Sequence, residues 1–509
     1  MINGKDNITM KIEQDELYRA AVEHLETSEP ARWDAALQCL NLILLEKIDN
    51  FAPLFHMAVA FQKKGLFSIA ITLLNESLQR NPKFCEGYNN LGVCYKTENM
   101  DDKAIPCFEK AIEIWKSDKR RQEKTPEDIV EYYANYASMY IVKGTPQKAI
   151  DIIDKGLKYN DSHPQSRWNR ALAYLEKGDY DKGFKEYDWG MRSNRPDIKA
   201  KRSMGMFGDD RIDREYNDGK TPFWKGEKGK TVVVYGEQGI GDEIIFASVL
   251  PDMIKDCKVI LDAHPRLADM FRRSFPEIPV YGTRKESYLP WQQFHKIDAK
   301  IPIGSCVQYY RKKAVDFPGT AFVIPDEKLV EKLQARLDAL GDRPKIGFSW
   351  TGGTKGTASK QRTIPLDMWT KIFSLDADFI SLQYKAEHQK DVDVLSEKIG
   401  KPLHHWQSVL DDYDLTAALV ANLDFIISAP QSVVHLAGSI GTPGLQLCPK
   451  HGMWQIGAFG KDMPWHKSIK NIWQTVDGEW ADALDETYDI LSDVINNYDE
   501  AMEAQDVNK

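Results

Sequence analysis

Several things are scarce in these 509 residues, and each scarcity excludes a class of protein. The seven cysteines (39, 85, 94, 107, 257, 306 and 448) are odd in number and scattered, with no CxxC pair. That excludes a disulfide framework and a structural zinc cluster as organising devices. No apolar run approaches the roughly 20 residues that a bilayer crossing needs. The first residues, MINGKDNITMKIEQDE, are polar and carry acids, so no secretory leader is expected. Basic residues are in deficit: 67 Lys and Arg against 76 Asp and Glu leave a net charge of −9, with no electrostatic footprint for nucleic acid. A locally basic cleft remains compatible with that balance, because net charge does not report local fields. A soluble, reducing, cytoplasmic setting is the expectation, with length enough for two to four domains.

What is present begins with a period. Ala36, Ala70 and Ala104 recur every 34 residues, the tetratricopeptide spacing. Phe61 and Tyr95 take the aromatic position of the first helix, Gly65 the turn, Leu74 and Phe108 the large position of the second helix, and Pro82 closes a repeat. The series resumes at Tyr140, Gly144, Ala149 and Ile153, then at Tyr174, Gly178, Gly183 and Tyr187. Between Ala104 and Ala149 lie 11 residues more than one period, which the charged stretch 117–127 supplies as a helix extension or an exposed loop. About five helical hairpins are expected over 14–198, stacked into a solenoid that either holds a protein partner or only scaffolds the chain. Tyr132, Tyr133, Tyr136 and Tyr140 are a binding stripe or, at helical spacing, hairpin core.

The remainder is organised around 423–447, LDFIISAPQSVVHLAGSIGTPGLQL. A short β-branched run to Ser428, the break Ala429-Pro430-Gln431, a helical spacing from Ser432 to Ile440 and the stop at Gly441 predict a buried strand, a tight turn and a helix. A second apolar run, 445–448, follows. Such a helix points free amides at the sheet end, where a diphosphate can sit. His435 either adds a donor to that anion or pairs with a carbonyl inside the fold.

A similar unit opens the second half. After a charged junction at 199–230 that includes Trp224, the run TVVVY (231–235) is a buried strand, followed by the turn GEQGIGDE (236–243) and a helix over 244–254. Glycines there let the backbone pass close to a ligand. Carboxylates at 237, 242 and 243 would repel a diphosphate, so this turn suits proton removal from an attacking hydroxyl, by Asp242 or Glu237. Asp242 as a helix cap is the structural alternative. A second lobe begins with the strand 345–350 and the loop TGGTKGTASKQRT (351–363), which offers Lys355, Lys360 and Arg362 to a cleft or to solvent. Gln383, ending the strand 379–382, is placed to read a base or ribose. A final helix is expected over 479–498.

PFWKG (222–226), YGEQGIGDEIIFASVLP (235–251), GFSWTGG with RTIPLDMW (347–369), FISLQ (379–383) and DFIISAPQSVVHLAG (424–438) carry a resemblance. The chain resembles bacterial and phage tetratricopeptide proteins with a glycosyltransferase-like module of the GT-B fold, related to lipopolysaccharide heptosyltransferases and more distantly to O-linked N-acetylglucosamine transferase. The implied fold is α + α/β: an N-terminal α-solenoid of tetratricopeptide repeats (14–198), the junction (199–230), a Rossmann-like lobe (231–341) and a nucleotide-sugar-binding Rossmann-like lobe (342–498). The resemblance implies metal-independent, inverting sugar transfer from a nucleotide-sugar co-substrate to a glycan or protein acceptor, without a further cofactor. Asp242 would be the base, with Glu237 beside it; Gly352, Gly353, Lys360, Arg362, Gln383, Gln431, Ser432 and His435 would hold the donor. Family members read Asp-Thr-Ser where this chain has Pro430-Gln431-Ser432, which removes a carboxylate and a hydroxyl. A non-catalytic tetratricopeptide scaffold with a degenerate module, and a different nucleotide-using enzyme on the same architecture, are the competing readings.

Overall fold

The computed structural model describes residues 4–27, 29–46, 50–124, 127–192, 221–284, 289–352, 359–451, 453–456 and 460–506. The chain divides into two compact units, Met1–Arg170 and Ala171–Lys509.

The first unit is built of antiparallel helix pairs. Its helices are α1 (Gly4–Leu25), α2 (Pro30–Glu46), α3 (Phe51–Lys63), α4 (Phe67–Arg80), α5 (Cys85–Thr97), α6 (Asp101–Ser117), α7 (Lys119–Lys124), α8 (Asp128–Val142) and α9 (Pro146–Leu157). The next helix, α10 (Pro164–Lys177), carries the chain into the second unit. Ala36, Ala70, Ala104 and Ala149 are fully buried, because two helices approach closely only where the side chain is a methyl. Gly65, Gly144 and Gly178 turn the chain at φ of +75°, +61° and +84°. Asn99, one period after Gly65, does the same at +59°, since its short side chain tolerates the left-handed region. The 11 extra residues are spent on the end of α6 and the separate helix α7. Tyr132, Tyr133 and Tyr140 are buried, so the tyrosine stripe is mostly hairpin core.

The second unit holds two parallel sheets. The first contains β1 (Thr231–Tyr235), β2 (Lys258–Asp262), β3 (Val280–Tyr281) and β4 (Ala299–Pro302), in the order β3-β2-β1-β4. The second contains β5 (Lys345–Ser349), β6 (Asp378–Ser381), β7 (Leu403–His405), β8 (Phe425–Ser428), β9 (Gly444–Cys448) and β10 (Ile469–Trp473), in the order β7-β6-β5-β8-β9-β10. Counted from its own first strand, the second sheet has the doubly wound dinucleotide-fold order, and the first sheet has that order's first four places. The strand order therefore reverses between β1 and β4 and again between β5 and β8. Crevices open beyond the strands' C-terminal ends at such places.

The flanking helices used below are α11 (Tyr180–Tyr187), α12 (Ile240–Ala247), α13 (Ile303–Tyr310), α14 (Tyr413–Ala421) and α15 (Ser432–Ile440). Phe348, Trp369, Phe373 and Phe379 are fully buried in the second lobe's core. Each stabilises the fold by about 1.5–3 kcal/mol through burial alone. The lobes are tied by Arg273, which forms a two-pronged ion pair with Asp414 on α14. The amides of Phe322 and Val323 also donate to the Ser439 carbonyl, at 2.8 and 2.9 Å.

Helix α11, the second helix of the last 34-residue period, packs into this α/β unit. Its Phe184 and Tyr187 join Phe246, Trp454 and Trp465 in an aromatic cluster with ring centroids 5.7–6.4 Å apart. Asp188, just after it, accepts hydrogen bonds from Ser305 and Gln308 on α13. The greater part of the charged junction lies outside the described residues. Where description resumes, Trp224 is buried against Tyr309, ring centroids 4.7 Å apart, as a packing residue.

Candidate functional site

The first lobe's turn runs from Tyr235 into α12, which starts at Ile240, four residues before the sequence pattern places it. Asp242 is thereby the third residue of a helix rather than part of a loop. Its Oδ2 accepts from the Gly239 amide at 3.2 Å, and its Oδ1 accepts from Gln455 Nε2 at 3.2 Å. The N-cap position expected for Asp242 thus belongs to Gly239, and Asp242 contributes to the cap from the third helical position while staying partly exposed. Glu237 differs: it is fully buried, and its Oε1 accepts from the Gly304 amide at 2.9 Å, joining the two loops where the strand order reverses. A base for an incoming hydroxyl must reach the crevice, so this burial leaves Glu237 a structural role.

Glu243 is fully buried as well. It pairs with the buried Arg284 at 2.6 Å and accepts from the His264 amide at 2.7 Å. Burial pushes its carboxyl pKa up, and the Arg284 charge and the amide oppose that. Its carboxylate occupies the space a side chain at position 236 would need, since a Cβ there would overlap Glu243 Oε2. Of the three carboxylates that make this turn look acidic, two are consumed inside the fold. Gln238 stands in the left-handed region at φ +57°. It is held there by Arg284 Nη2 on its carbonyl at 2.5 Å and by a hydrogen bond from its side chain to the Tyr187 hydroxyl.

The second lobe's turn follows β8. Gln431 precedes α15 in extended conformation, without a side-chain cap, and donates instead to Ser349 Oγ at the end of β5. Ser349 in turn shares a 2.5 Å hydrogen bond with Ser428 on the neighbouring strand. Gly352 is buried against this turn: a Cβ there would run into the Pro430 carbonyl oxygen, so only glycine lets the two loops pass. Gln383 is also buried, and Thr351 uses both ends of its amide: Oε1 accepts from the Thr351 amide at 3.2 Å, and Nε2 donates to Thr351 Oγ1 at 3.2 Å. It fixes the loop that precedes Gly352 rather than waiting for a base.

His435 lies in the first turn of α15. Burial pushes its pKa down to about 4, so it is neutral at pH 7, and its Nδ1 has no hydrogen-bond partner among the described residues. The expected alternative, a carbonyl partner, is absent at that atom. His466 lies next to it with its ring tilted, ring centroids 5.6 Å apart, fully buried and also held well below its usual pKa by burial. Gly438 makes the room, because a Cβ there would collide with the His466 ring.

The two turns meet. A Cβ on Gly241 would lie 3.1 Å from Ser432 Cα and 3.2 Å from His435 Cδ2, so the first turn of α12 abuts the first turn of α15. From the second lobe Arg362, on the short helix Ser359–Arg362, faces the same place. Burial lowers its guanidinium pKa while the Asp242 carboxylate raises it. Lys360 belongs to the same helix; Gly353 and Lys355 lie outside the described residues. Asp242, Arg362, Ser432 and His435 thus share one neighbourhood, and Gln431 and Gly352 shape its floor. Sequence reasoning placed Tyr187 only in the last repeat and gave no site role to Gln238, Arg284, Gln455 or His466. Only Gln238 carried a local signal, as a non-glycine between two glycines. A cavity of about 220 Å³ lies elsewhere, lined by Ser248, Asp252, Lys255, Phe317, Phe322 and Trp465 among others, and contains none of the predicted site residues.

Comparison with known proteins adds the following. Residues 85–118 match the tetratricopeptide repeat family. Protein FlbA of Caulobacter vibrioides is 25% identical over 451 residues, 79% of this chain and 73% of its own. The BBSome complex member BBS4 of Bos taurus is 29% identical over 120 residues, 24% of this chain and 21% of its own. Among solved structures, a thermophilic tetratricopeptide protein from Thermus thermophilus is 21% identical with a TM-score of 0.29, covering 37% of this chain and 95% of that one. A family 9 glycosyl transferase from Veillonella parvula is 12% identical with a TM-score of 0.39, covering 49% of this chain and 87% of that one. Among the described residues, no helix is long and apolar enough to cross a membrane.

Proposed function

We propose that the α/β unit transfers a sugar from a nucleotide-sugar to a hydroxyl on a glycan or protein. The observation that carries this reading is the meeting of two unlike helix starts at Gly241, one bearing Asp242 and the other presenting the open amides of α15. An anion at α15 would be met by those amides, by Arg362 and by a neutral His435 able to donate one hydrogen bond. Lys360 is proposed to add a second cation. Positive charge of this kind can balance a leaving diphosphate without a metal ion. Asp242 is the proposed base: its carboxylate is partly exposed beside that anion site, while Glu237 is enclosed. Displacement in one step would invert the anomeric configuration. The helical repeats are proposed to hold a protein partner or the acceptor.

A thermal-shift screen against UDP, GDP and ADP tests the donor half: at least one should raise the melting temperature, and His435→Ala should reduce the rise. Transfer with retained anomeric configuration would overturn the single displacement. One observation favours a second reading, a binding protein that keeps the fold without turnover: Gln431 is spent on Ser349, and both Asp242 oxygens accept hydrogen bonds. Nucleotide stabilisation without hydrolysis or transfer of any UDP, GDP or ADP sugar would select it.

A further inference from the structure

One cation near α15 stands outside the arrangement described so far. Arg266 lies beyond the C-terminal end of β2 on a short turn, Pro265–Leu267, and its side chain is exposed. Its guanidinium lies over the ring of Tyr413, 5.2 Å from the centroid, and so reaches across the crevice to the other lobe. Among the described residues no carboxylate forms an ion pair with it. Its position is nonetheless fixed from below. The Arg266 amide donates to His264 Nδ1 at 3.1 Å, and the His264 amide donates to Glu243, the fully buried partner of Arg284. An arginine whose backbone is anchored through a buried ion pair, and whose guanidinium has no carboxylate partner among the described residues, is well placed to meet an anion.

Tyr413 supplies the second, independent observation. It is 8% exposed, and its hydroxyl is buried beside Ser432, the first residue of α15, without a well-formed hydrogen bond. A buried hydroxyl lacking a partner costs roughly 1–3 kcal/mol, a cost that a bound acceptor would remove. Arg266 and Tyr413 thus stand at the same helix start, the one that carries no side-chain cap.

We infer that Arg266 and Tyr413 are the remaining wall of a diphosphate site at the N-terminus of α15, so that the anion is gripped from both lobes. The inference rests on the sugar-transfer reading for the site's location and extends it. A diphosphate carries two charged groups, and Arg266 would add a second guanidinium to the one that Arg362 supplies. A guanidinium held over an aromatic ring presents a preorganised pair of donors to the other phosphate. Donor binding then depends on the lobes being held together, because Arg266 and Ser432 belong to different sheets.

Titration calorimetry of the full chain with inorganic pyrophosphate, and in parallel with UDP, GDP and ADP, tests this. Arg266→Ala should weaken pyrophosphate binding about tenfold or more, as expected for loss of a charge-assisted contact. Arg266→Lys should recover part of that affinity, and Tyr413→Phe should lose a smaller factor. Arg272→Ala, an exposed arginine paired with Asp269, should bind as the unaltered chain does. Unchanged pyrophosphate affinity in Arg266→Ala, with binding still lost in His435→Ala, would overturn the role of Arg266 and leave the sugar-transfer reading standing. Absence of pyrophosphate and nucleotide binding in the unaltered chain would overturn both. Melting curves of the unliganded variants separate lost binding from lost folding.

Discussion

The starts of α12 and α15 make an instructive pair. Both follow a buried parallel strand through a tight turn, and both lie at a crevice where the strand order reverses. Their chemistry is opposite. At α12 the chain fills the helix's positive end with its own carboxylate, Asp242 on the Gly239 amide, and buries a second acid just after it. At α15 the residue before the helix turns its side chain away to Ser349, no acid occupies the first turn, and the histidine in that turn is neutral. One helix start is capped by its own carboxylate, and the other, without a side-chain cap, is the one proposed to receive an anion. The same strand–turn–helix unit therefore occurs with two different helix starts, and a few side chains decide which.

Four substitutions or conditions break or sharpen that contrast. Asp242→Asn removes the charge that distinguishes α12: sugar transfer should fall by about 10²–10⁴-fold, while nucleotide stabilisation in thermal shift persists. Glu243→Ala strands the buried Arg284. Loss of one partner of a buried ion pair should lower unfolding stability by about 3–5 kcal/mol, read from the urea midpoint. Gly438→Ala places a methyl where the His466 ring sits. It should cost about 1–3 kcal/mol, and nucleotide stabilisation should shrink because His435 moves with its neighbour. The smallest effect is a pH slope. His435 and His466 are neutral when folded but titrate near 6.5 when unfolded, so between those values the unfolded chain binds more protons. Stability should therefore decline as pH falls from about 6.5 toward 4. His466→Leu should make that decline in melting temperature shallower.

Much of the architecture was legible because it rests on steric rules that single residues announce. A methyl every 34 residues, a glycine at each turn and unbroken β-branched runs such as TVVVY seldom arise except from close helix pairs, left-handed turns and buried strands. Asn99 was readable by the same rule, as the residue that replaces glycine at a left-handed turn. Strands β7 and β10 were not expected: LHH is three residues long, and IKNIW alternates with polar residues, as short edge strands do. Around the proposed site, the turn chemistry pointed to Asp242, Ser432 and His435, while Gly352 came from the family resemblance alone. Burial was not legible. A row of acids at 237, 242 and 243 looks uniform in sequence, yet two of the three face inward to Gly304, His264 and Arg284. Gln383 misled for the same reason, because its partner Thr351 is remote along the chain. Arg266 is separated from Tyr413 by most of two lobes, so nothing local marks it.

The hydrogen bond between Tyr187 and Gln238 has a practical corollary. A fragment cut at the apparent end of the repeats, to isolate the α/β module for expression, would discard α11. It would strip Phe184 and Tyr187 from the aromatic cluster, leave Phe246, Trp454 and Trp465 wet, and remove one of the two restraints on the backbone turn ahead of Asp242. A piece of this half must retain α11, and because Ala171, where the second unit begins, lies inside α10, its first residue belongs ahead of Pro164.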